Sequence, residues 1–316
     1  MADDIVISAV VPLFNEAESL PELCQQLEAN LTPFGDYEII FIDDGSRDGS
    51  LEVLKQLHQQ NPRVKVISFR KNFGKSAALS VGFQAARGRY LVTLDADLQD
   101  DPGEIPNLIR KLEEGYDLVS GWKKKRYDPP SKTIPSKLFN FVTGLVSGLR
   151  IHDFNCGLKA YRQEVVEKLP VYGELHRFLP ALAHWEGFRV SELPVQHRPR
   201  KYGRTKFGPS RFLNGFLDLL SVLLLSRYLR KPMHLFGIAG ILLILVGIII
   251  LAYLTWGWIN GIWIGDRPLF FLGILLVVFG AQAFSLGLLG EMMTRAQADR
   301  REYTCKLLLG FERKPV

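Results

Sequence analysis

Two long apolar stretches do most to restrict the folds open to this chain. Residues 235–256 and 268–289 contain no Asp, Glu, Lys or Arg. A helix needs roughly 20 apolar residues to cross the hydrocarbon core of a bilayer, so each stretch is long enough. The alternative is a pair of buried core helices, but the aromatic residues typical of membrane interfaces lie in and after the first stretch, at Tyr253, Trp256, Trp258 and Trp263. The sequence therefore predicts two transmembrane helices.

Charged residues around these stretches predict the orientation of the chain. Basic residues precede the first stretch and follow the second: Arg227, Arg230 and Lys231, then Arg295, Arg300 and Arg301. Lys and Arg favour the cytoplasmic side, so we expect both termini to be cytoplasmic. An apolar run flanked by basic residues, 211–232, predicts a helix along the cytoplasmic membrane surface, with a core helix of the soluble part as the alternative. The predicted domains are 1–210 (soluble), 211–232 (juxtamembrane), 233–290 (two spans) and 291–316 (cytoplasmic tail).

The soluble part alternates apolar runs typical of buried strands with segments of helical spacing. This pattern holds from residue 5 to residue 97. It predicts an α/β domain with a doubly wound, mostly parallel sheet. Ligands of such sheets bind beyond the carboxyl ends of the strands. The candidate site residues fall at those ends, at 14–16, 43–44, 72–75 and 95–99.

The fourth predicted strand runs into the acidic sequence LDADLQDDP. Alternate side chains of an extended strand share a face, so Asp95 and Asp97 point together, and Gln99 joins them if the extension continues. Two carboxylates and an amide oxygen suit Mg²⁺ or Mn²⁺, which usually takes its remaining ligands from phosphates and water. The site thus predicts a phosphorylated ligand. The alternative is a solvated acidic loop, in which Asp100 caps the helix after Pro102.

The other strand ends have two interpretations as well. Asp43 and Asp44 lie in a Gly- and Ser-containing segment and either contact a nucleoside or form a turn. Gly74 and Lys75 place backbone amides and a positive charge at a helix start, which suits a phosphate. Their spacing is not that of a P-loop.

Six segments, in order, resemble family 2 glycosyltransferases of the GT-A fold: VVPLFNE, IDDGSRDGS, RKNFGKSAALSVGFQAARG, LDADLQDDP, NCGLKAYRQEV and RKYGRTKFG. The nearest subgroup is the polyprenyl-phosphate glycosyltransferases similar to dolichyl-phosphate mannose synthase. With its two C-terminal spans, the chain looks most like the bacterial bactoprenol glucosyltransferases. The resemblance covers about residues 5–290. It implies a GT-A catalytic domain over 1–210 and a location in the bacterial inner membrane.

The resemblance also implies roles for individual residues. It places the metal on Asp95, Asp97 and Gln99. With the strand-end positions it places the nucleotide beside Pro12, Phe14, Glu16, Asp43, Asp44, Asn72, Lys75, Asp95 and Ala96. A basic motif that handles phosphates matches Arg200, Thr205 and Lys206, where Thr205 replaces the usual Ser. The candidates for binding the acceptor phosphate are Arg126, Ser136, Lys137, Arg200 and Thr205, although a basic loop facing anionic lipid is an equal interpretation of the first three. The expected catalytic residues are Asp97, Asp153, Arg200 and Lys206, with Asp153 as a base or, alternatively, a turn former.

The implied reaction is an inverting, metal-dependent sugar transfer to undecaprenyl phosphate at the cytoplasmic membrane face. Glucose from UDP-glucose is the expected donor sugar, and Mg²⁺ or Mn²⁺ the expected cofactor. The alternatives are another donor such as GDP-mannose, a processive polysaccharide synthase, and a non-catalytic membrane protein that binds nucleotide sugars. Nucleic acid is not an expected partner, because it would explain neither the spans nor the metal site.

The C-terminal tail and the glycines of the spans bear on assembly. The sequence YTCKLLL, 303–309, predicts a strand that adds to an exposed sheet edge, either of its own domain or of a neighbour's. Glycines that permit close helix packing recur in both spans, at Gly237, Gly240, Gly247, Gly273, Gly280 and Gly287. Together these features predict a homo-oligomer.

Overall fold

The computed structural model describes residues 5–124, 130–169, 171, 173, 175–199, 201–202, 233–261, 263, 268–296 and 305–311. Contacts divide the chain into two units, Met1–Leu219 with Glu302–Val316, and Leu220–Arg301. The strands described are β1 (Ile7–Leu13), β2 (Tyr37–Asp43), β3 (Val64–Phe69), β4 (Tyr90–Thr93), β5 (Leu118–Trp122), β6 (Lys159–Arg162), β7 (Val190–Pro194) and β8 (Cys305–Leu309). The helices are α1 (Leu20–Leu31), α2 (Ser50–Gln60), α3 (Lys75–Ala85), α4 (Ile105–Glu113), α5 (Pro130–Ser147), α6 (Gln163–Lys168), α7 (Leu179–Trp185), α8 (Ile238–Ile259) and α9 (Pro268–Ala296).

The strands of the first unit form one sheet, which is mostly parallel as the sequence predicts. Its order is β7-β5-β6-β4-β1-β2-β3-β8. β6 runs antiparallel to both β4 and β5, and β8 runs antiparallel to β3, whereas the other neighbours are parallel. The prediction of an α/β, doubly wound sheet followed by two apolar helices is confirmed.

Helices bury both faces of this sheet. All seven residues of β1 are buried, a pattern typical of parallel strands covered on both sides. One face packs against the apolar sides of α1, α2 and α4. The other face packs against α3, α6 and α7. The carboxyl ends of β1, β2 and β4 therefore meet at one edge, and their loops carry the polar residues of the site.

The turn after the acidic sequence is capped by a different residue from the one predicted. Asp101 lies at the start of the short helix Pro102–Glu104, and its side chain accepts a hydrogen bond from the Gly103 amide at 2.8 Å. Asp100 was the expected cap, but its side chain is fully buried. The difference is one residue, because Asp100 follows the alternation of the preceding strand and points inward.

The C-terminal strand adds to an open edge of the sheet, as predicted. β8 pairs antiparallel with β3 of the same chain, so that Leu308 lies opposite Ile67 and Leu309 opposite Val66. Leu308 and Leu309 pack against the two core clusters. Of the two locations that the sequence left open, the structure shows the strand's own domain.

The second unit contains two helices that are long and apolar enough to cross a membrane. Ile238–Ile259 has a mean hydropathy of 2.8, and Pro268–Gly290 has 2.3. Only 17% and 11% of their most apolar windows are buried, which disfavours the alternative of core helices. The first helix begins three residues after the predicted start, and the second continues beyond the predicted end at residue 289. Residues 211–232, predicted as a juxtamembrane helix region, lie outside the described residues.

The predicted glycines lie where α8 and α9 of one chain approach each other. A Cβ built on Gly240 would lie 2.6 Å from the carbonyl oxygen of Gly280, and one on Gly247 would lie 2.8 Å from that of Gly273. Since only glycine leaves room for such backbone contacts, the small residues serve packing within the chain.

We expect Gly280→Leu to separate α8 from α9. Its Cβ would meet the Gly240 carbonyl oxygen at 2.7 Å and the Ile244 amide at 2.9 Å, and neither backbone atom can move aside alone. Such overpacking typically costs about 1–3 kcal/mol. The measurement is the temperature at which the detergent-solubilised protein loses helical circular dichroism. Ala281→Leu is the control, because the neighbouring Ala281 is exposed, and equal melting of both variants would contradict the predicted interface.

Candidate active site

The acidic end of β4 places its polar side chains on one side, as the alternation predicts. Asp95, Asp97 and Gln99 are half-buried, whereas the residues between them are buried. The backbone turns at Leu98, which has a positive φ of 59°. The Gln99 amide donates a hydrogen bond to Asp97 Oδ1 at 3.2 Å. The three predicted metal ligands, Asp95, Asp97 and Gln99, thus form one partly exposed ridge.

A lysine ammonium already lies on the first of these carboxylates. Lys75 is the first residue of α3, and its Nζ donates to Asp95 Oδ1. Burial by itself would raise the pKa of Asp95, but the positive charges of Lys75, Lys123 and Lys159 hold it at about 2. Asp95 is therefore a carboxylate throughout the neutral pH range, and it contacts the Lys75 ammonium.

The other oxygen of Asp95 faces the backbone of Gly157. A Cβ on Gly157 would lie 2.8 Å from Asp95 Oδ2 and 2.7 Å from Asp100 Oδ2. The missing side chain leaves space beside a carboxylate oxygen that Lys75 does not occupy. In the part of the chain that the structure describes, no three His, Cys, Asp or Glu side chains cluster as a complete metal site. Two carboxylates with Gln99 fit a divalent ion that takes its other ligands from phosphate and water.

A buried ion pair lies beneath this ridge. Lys123 Nζ is 2.7 Å from Asp100 Oδ1, and the side chain of Asp100 is fully buried. Neither carboxylate oxygen of Asp100 has a hydrogen-bond partner of good geometry among the described residues, so the contact is one between charges. Burial alone would lower the pKa of Lys123, but Asp100 raises it above its usual value. Lys123 is therefore positively charged in the folded protein.

The turn after β2 fixes the start of α3 through Asp44. Its two carboxylate oxygens accept hydrogen bonds from the Phe73 and Gly74 amides, at 2.7 and 2.9 Å. Gly45 permits the approach, because a Cβ there would lie 2.6 Å from the Lys71 carbonyl carbon. Burial raises the pKa of Asp44, while the two amide hydrogen bonds oppose the rise. Asp44 thereby places Lys75 next to Asp95.

The remaining residues predicted to bind the nucleotide lie around this turn. Asp43 is buried, and its oxygens accept from the Ser46 amide and the Ser68 hydroxyl, which is the turn-forming interpretation. The others are buried (Pro12, Ala96), half-buried (Phe14, Glu16) or exposed (Asn72). The Asn15 amide donates to the Ser46 hydroxyl in the β2–α2 loop, and the Glu16 amide donates to the Ser50 hydroxyl at the start of α2. The segment after β1 is thereby joined to the segment after β2. The structure brings these positions to one edge, and their contacts with a nucleotide stay a prediction.

A cavity of about 150 Å³ adjoins Asp95. Its polar wall is formed by basic and amide side chains: Lys75, Asn155, Lys159, His176 and Arg177. Its apolar wall includes Leu79, Leu94, Tyr161 and Leu179. Of the residues that line the cavity, Pro12, Lys75 and Asp95 were predicted site residues, and sequence reasoning missed the others. A lysine in the apolar run LKAY and the HR pair before FLPAL were the available signals.

Positive charge dominates the cavity. Lys159 is buried and donates to the Cys156 carbonyl, and its pKa is lowered first by burial and also by the charge of Lys75. His176 contacts the Ser76 hydroxyl at 2.9 Å. Its pKa is well below the usual value, because burial and the charges of Lys75 and Arg177 disfavour protonation. Asp95 is the one carboxylate among the described residues of the lining.

The predicted acceptor and catalytic residues are placed only in part. Asp153 is fully buried, and its Oδ1 accepts from the Asn155 amide at 3.1 Å, the geometry of a turn. Ser136 and Lys137 lie on α5 and are not among the residues that line the cavity. Arg126, Arg200, Thr205 and Lys206 lie outside the described residues. The described segment before Arg200 approaches the ridge, because the Arg198 amide donates to the Gln99 carbonyl at 2.9 Å.

Comparison with known proteins gives matches in sequence. Residues 8–170 match the family described as glycosyl transferase family 2. Dodecaprenyl-phosphate galacturonate synthase of Rhizobium johnstonii is 37% identical over 296 residues, which cover 92% of this chain and 88% of that protein. Undecaprenyl-phosphate 4-deoxy-4-formamido-L-arabinose transferase of Pseudomonas fluorescens is 35% identical over 298 residues, covering 93% and 86%.

Solved structures match the fold. Glucosyl-3-phosphoglycerate synthase of Mycobacterium tuberculosis, in complex with Mn²⁺, UDP-glucose and phosphoglyceric acid, superposes with a TM-score of 0.53 at 19% identity, over 69% of this chain and 80% of that one. A mannosyltransferase of Pyrobaculum calidifontis, in complex with GDP-mannose and Mn²⁺, gives 0.50 at 16% identity, over 93% and 76%. At such identities the likeness concerns the fold alone.

Proposed function

Because the chain belongs to glycosyl transferase family 2, we propose that it moves a sugar from a nucleotide sugar to the phosphate of a polyprenyl lipid. The observation that carries this proposal is a sequence match of 37% identity over 92% of this chain to a relative named for a polyprenyl-phosphate sugar product. Two helices able to span a membrane fit a lipid acceptor. The ridge of Asp95, Asp97 and Gln99 fits a nucleotide diphosphate held through a divalent ion.

The sugar is the part of the sequence prediction with the least support. Glucose was expected, but the two relatives are named for galacturonate and for 4-deoxy-4-formamido-L-arabinose. We keep a nucleotide sugar as the donor, with UDP as the first nucleotide to test.

The residues of the ridge account for departure of the nucleotide. In the proposed step an oxygen of the acceptor phosphate attacks the anomeric carbon, the bond to the diphosphate breaks, and the configuration inverts. Asp95, with its pKa of about 2, stays ionised and holds the Lys75 ammonium near the proposed position of the leaving group. Lys75 adds positive charge where the diphosphate becomes free. A bound Mg²⁺ or Mn²⁺ would supply Lewis-acid neutralisation of that diphosphate.

The attacking group does not need a protein base. The second pKa of a phosphate monoester is near 6, so the acceptor is largely dianionic at neutral pH. The buried turn geometry of Asp153 supports this view, since a general base must reach the proton it removes. Arg200, Thr205 and Lys206 keep their proposed role in phosphate binding from the resemblance.

The experiment that tests the function offers purified full-length protein a panel of nucleotide sugars with undecaprenyl phosphate. Mass spectrometry of the lipid fraction should find one polyprenyl-phosphate sugar, formed with an equal amount of free nucleoside diphosphate. An Asp97→Asn protein serves as the blank. Absence of any glycosylated lipid across the panel would reject the proposed acceptor.

The basic residues around the spans give a topology that reporters can test. We propose that the protein lies in the bacterial inner membrane with its catalytic domain and both termini in the cytoplasm. Reporters fused at residue 1 and residue 316 should read cytoplasmic, and one inserted at Trp263, in the short loop between α8 and α9, should read external. A C-terminal reporter on the external side would show that only one helix spans the membrane.

The tail strand and the glycines of the spans, from which the sequence predicted a homo-oligomer, both have partners within one chain. The tail strand pairs with its own domain, and the glycines pack α8 against α9 of one chain. The oligomer therefore stays a proposal that only a mass measurement in detergent can decide.

A further inference from the structure

The ridge that carries the predicted metal ligands contains a strained residue. Leu98 lies between Asp97 and Gln99 and has a positive φ of 59°, and apart from Asn15 every other described residue with a positive φ is a glycine. This left-handed conformation is unfavourable for a residue with a Cβ, and it persists only where surrounding contacts hold it. The contacts around the turn at Leu98 therefore determine where the side chains of Asp97 and Gln99 lie.

The chain that follows β7 supplies the contacts from outside the ridge. The Arg198 amide donates a hydrogen bond to the Gln99 carbonyl at 2.9 Å. The preceding residue, His197, pairs antiparallel with Asp100. On its other side, the Gln99 amide donates to Asp97 Oδ1 at 3.2 Å. The backbone of Gln99 is thus held through both its N–H and its C=O group, and one of the two partners is Arg198.

The Arg198 guanidinium joins this chain segment to two other elements. Its Nη2 donates to Asp101 Oδ2 at 2.6 Å, and its Nη1 donates to Gln26 Oε1 of α1 at 3.0 Å. Asp101 directly follows the ridge and caps the next short helix with its other carboxylate oxygen. A planar guanidinium presents its donors in a fixed fork, whereas an ammonium is a point charge. Arg198 therefore fixes the turn after the ridge with its side chain and Gln99 with its amide.

We propose that Arg198 is a positioning residue, which holds the strained turn so that Asp97 and Gln99 lie beside Asp95 in the arrangement that binds a divalent ion. This inference rests on the proposed function, because it assumes that the ridge binds that ion. Groups that orient metal ligands are typically worth about 10–100-fold in metal affinity. The Arg198 side chain is 42% exposed, and ion pairs of such exposure contribute little to stability. Loss of Arg198 should therefore weaken metal binding without unfolding the protein.

The test measures binding of Mn²⁺ alone to the full-length protein, from the electron paramagnetic resonance signal of the free ion. Arg198→Ala should raise the Kd for Mn²⁺ about tenfold or more, with a melting temperature close to that of the unaltered protein, and Arg198→Lys should be intermediate. Lys201→Ala is the matched control and should leave the Kd unchanged. Lys201 joins the same chain segment to α1 through Glu22, at 2.6 Å, without a contact to the ridge. Asp97→Asn gives the level of Mn²⁺ binding elsewhere on the protein.

A double variant tests whether Arg198 acts through its carboxylate partner. Asp101→Asn removes the charge that Arg198 contacts and keeps an oxygen that can cap the helix. Arg198→Ala combined with Asp101→Asn should bind Mn²⁺ as weakly as Arg198→Ala alone, because both substitutions remove the same contact. Losses that multiply in the double variant would overturn the inference.

The remaining outcomes are also decisive. Unchanged Mn²⁺ affinity in Arg198→Ala would overturn the inference, and a loss of sugar transfer in that same protein would indicate that Arg198 contacts the substrate instead. Equal weakening by Lys201→Ala would overturn it as well, because docking of the segment on α1 would then be the cause. If the melting curve shows that Arg198→Ala does not fold, Arg198→Lys and Asp101→Asn replace it. Absence of Mn²⁺ binding by the unaltered protein would reject the metal ridge and this inference with it. Failure of lipid glycosylation with every donor would reject the proposed function, whereas the Mn²⁺ titrations would still decide the role of Arg198.

Discussion

Asp97→Asn is expected to abolish sugar transfer without unfolding the protein. Asp97 is half-buried at the ridge, and the substitution keeps its size while removing the charge that a divalent ion requires. Loss of a charge-stabilising group at the reaction centre typically costs about 10²–10³-fold in rate. We therefore expect kcat to fall at least about a hundredfold, with an unchanged melting temperature. The measurement is formation of the glycosylated lipid from the donor identified in the panel.

Removal of divalent ions by a chelator tests independently whether sugar transfer needs a metal. Thorough treatment with a chelator should stop transfer, and added Mg²⁺ or Mn²⁺ should restore it in the unaltered protein but not in Asp97→Asn. Asp36→Asn is the control, since this partly exposed carboxylate pairs with Arg63 at the amino ends of β2 and β3, at the other end of the strands from the ridge. Full activity in excess chelator would remove the metal from the proposal, although the family membership would stand.

The parallel half of the fold follows from local sequence. β1 to β4 are apolar runs separated by helices of clear spacing, and parallel strands buried on both faces produce such runs. The half formed by β5, β6 and β7 was not predicted strand by strand. β6 has only four residues and runs antiparallel between β4 and β5, so its place depends on contacts distant in sequence.

The candidate site divides in the same way. Asp44 and Asp95 lie at the ends of predicted strands, and Lys75 begins the helix after the third strand. Their meeting follows from the rule that parallel strands end at one edge. Lys159 and Arg177 come from β6 and from the short helix before α7, which are distant from Asp95 in sequence but line the same cavity. No local pattern in the sequence brings those two residues together.

The predicted homo-oligomer is unsupported for a different reason. The sequence predicts that the tail strand pairs with the edge of a sheet and that the glycines permit close packing of helices. It does not show whether the sheet edge and the second helix belong to the same chain or to another copy. β8 reaches β3 of its own domain, with Leu309 beside Val66. Gly240 and Gly280 likewise meet within one chain. Both features are complete in a single copy.

Lys123→Met is expected to produce a large loss of stability. It would leave the fully buried Asp100 carboxylate without the ammonium that lies 2.7 Å away. Removing one partner of a buried ion pair typically costs about 3–5 kcal/mol, because the other charge stays buried without compensation. Thermal unfolding of the soluble unit, followed in the detergent-solubilised protein, should show a clear fall in melting temperature.

A double variant separates the burial of a lone charge from the loss of packing. Lys123→Met with Asp100→Asn removes both charges, so the protein should melt above Lys123→Met alone. Lys111→Met is the matched control, because Lys111 forms an ion pair of similar length, 2.6 Å, with Glu114 at the surface, and such pairs contribute little. If Lys123→Met and Lys111→Met had the same melting temperature, the Lys123–Asp100 pair would contribute no more to stability than the surface pair of Lys111 and Glu114.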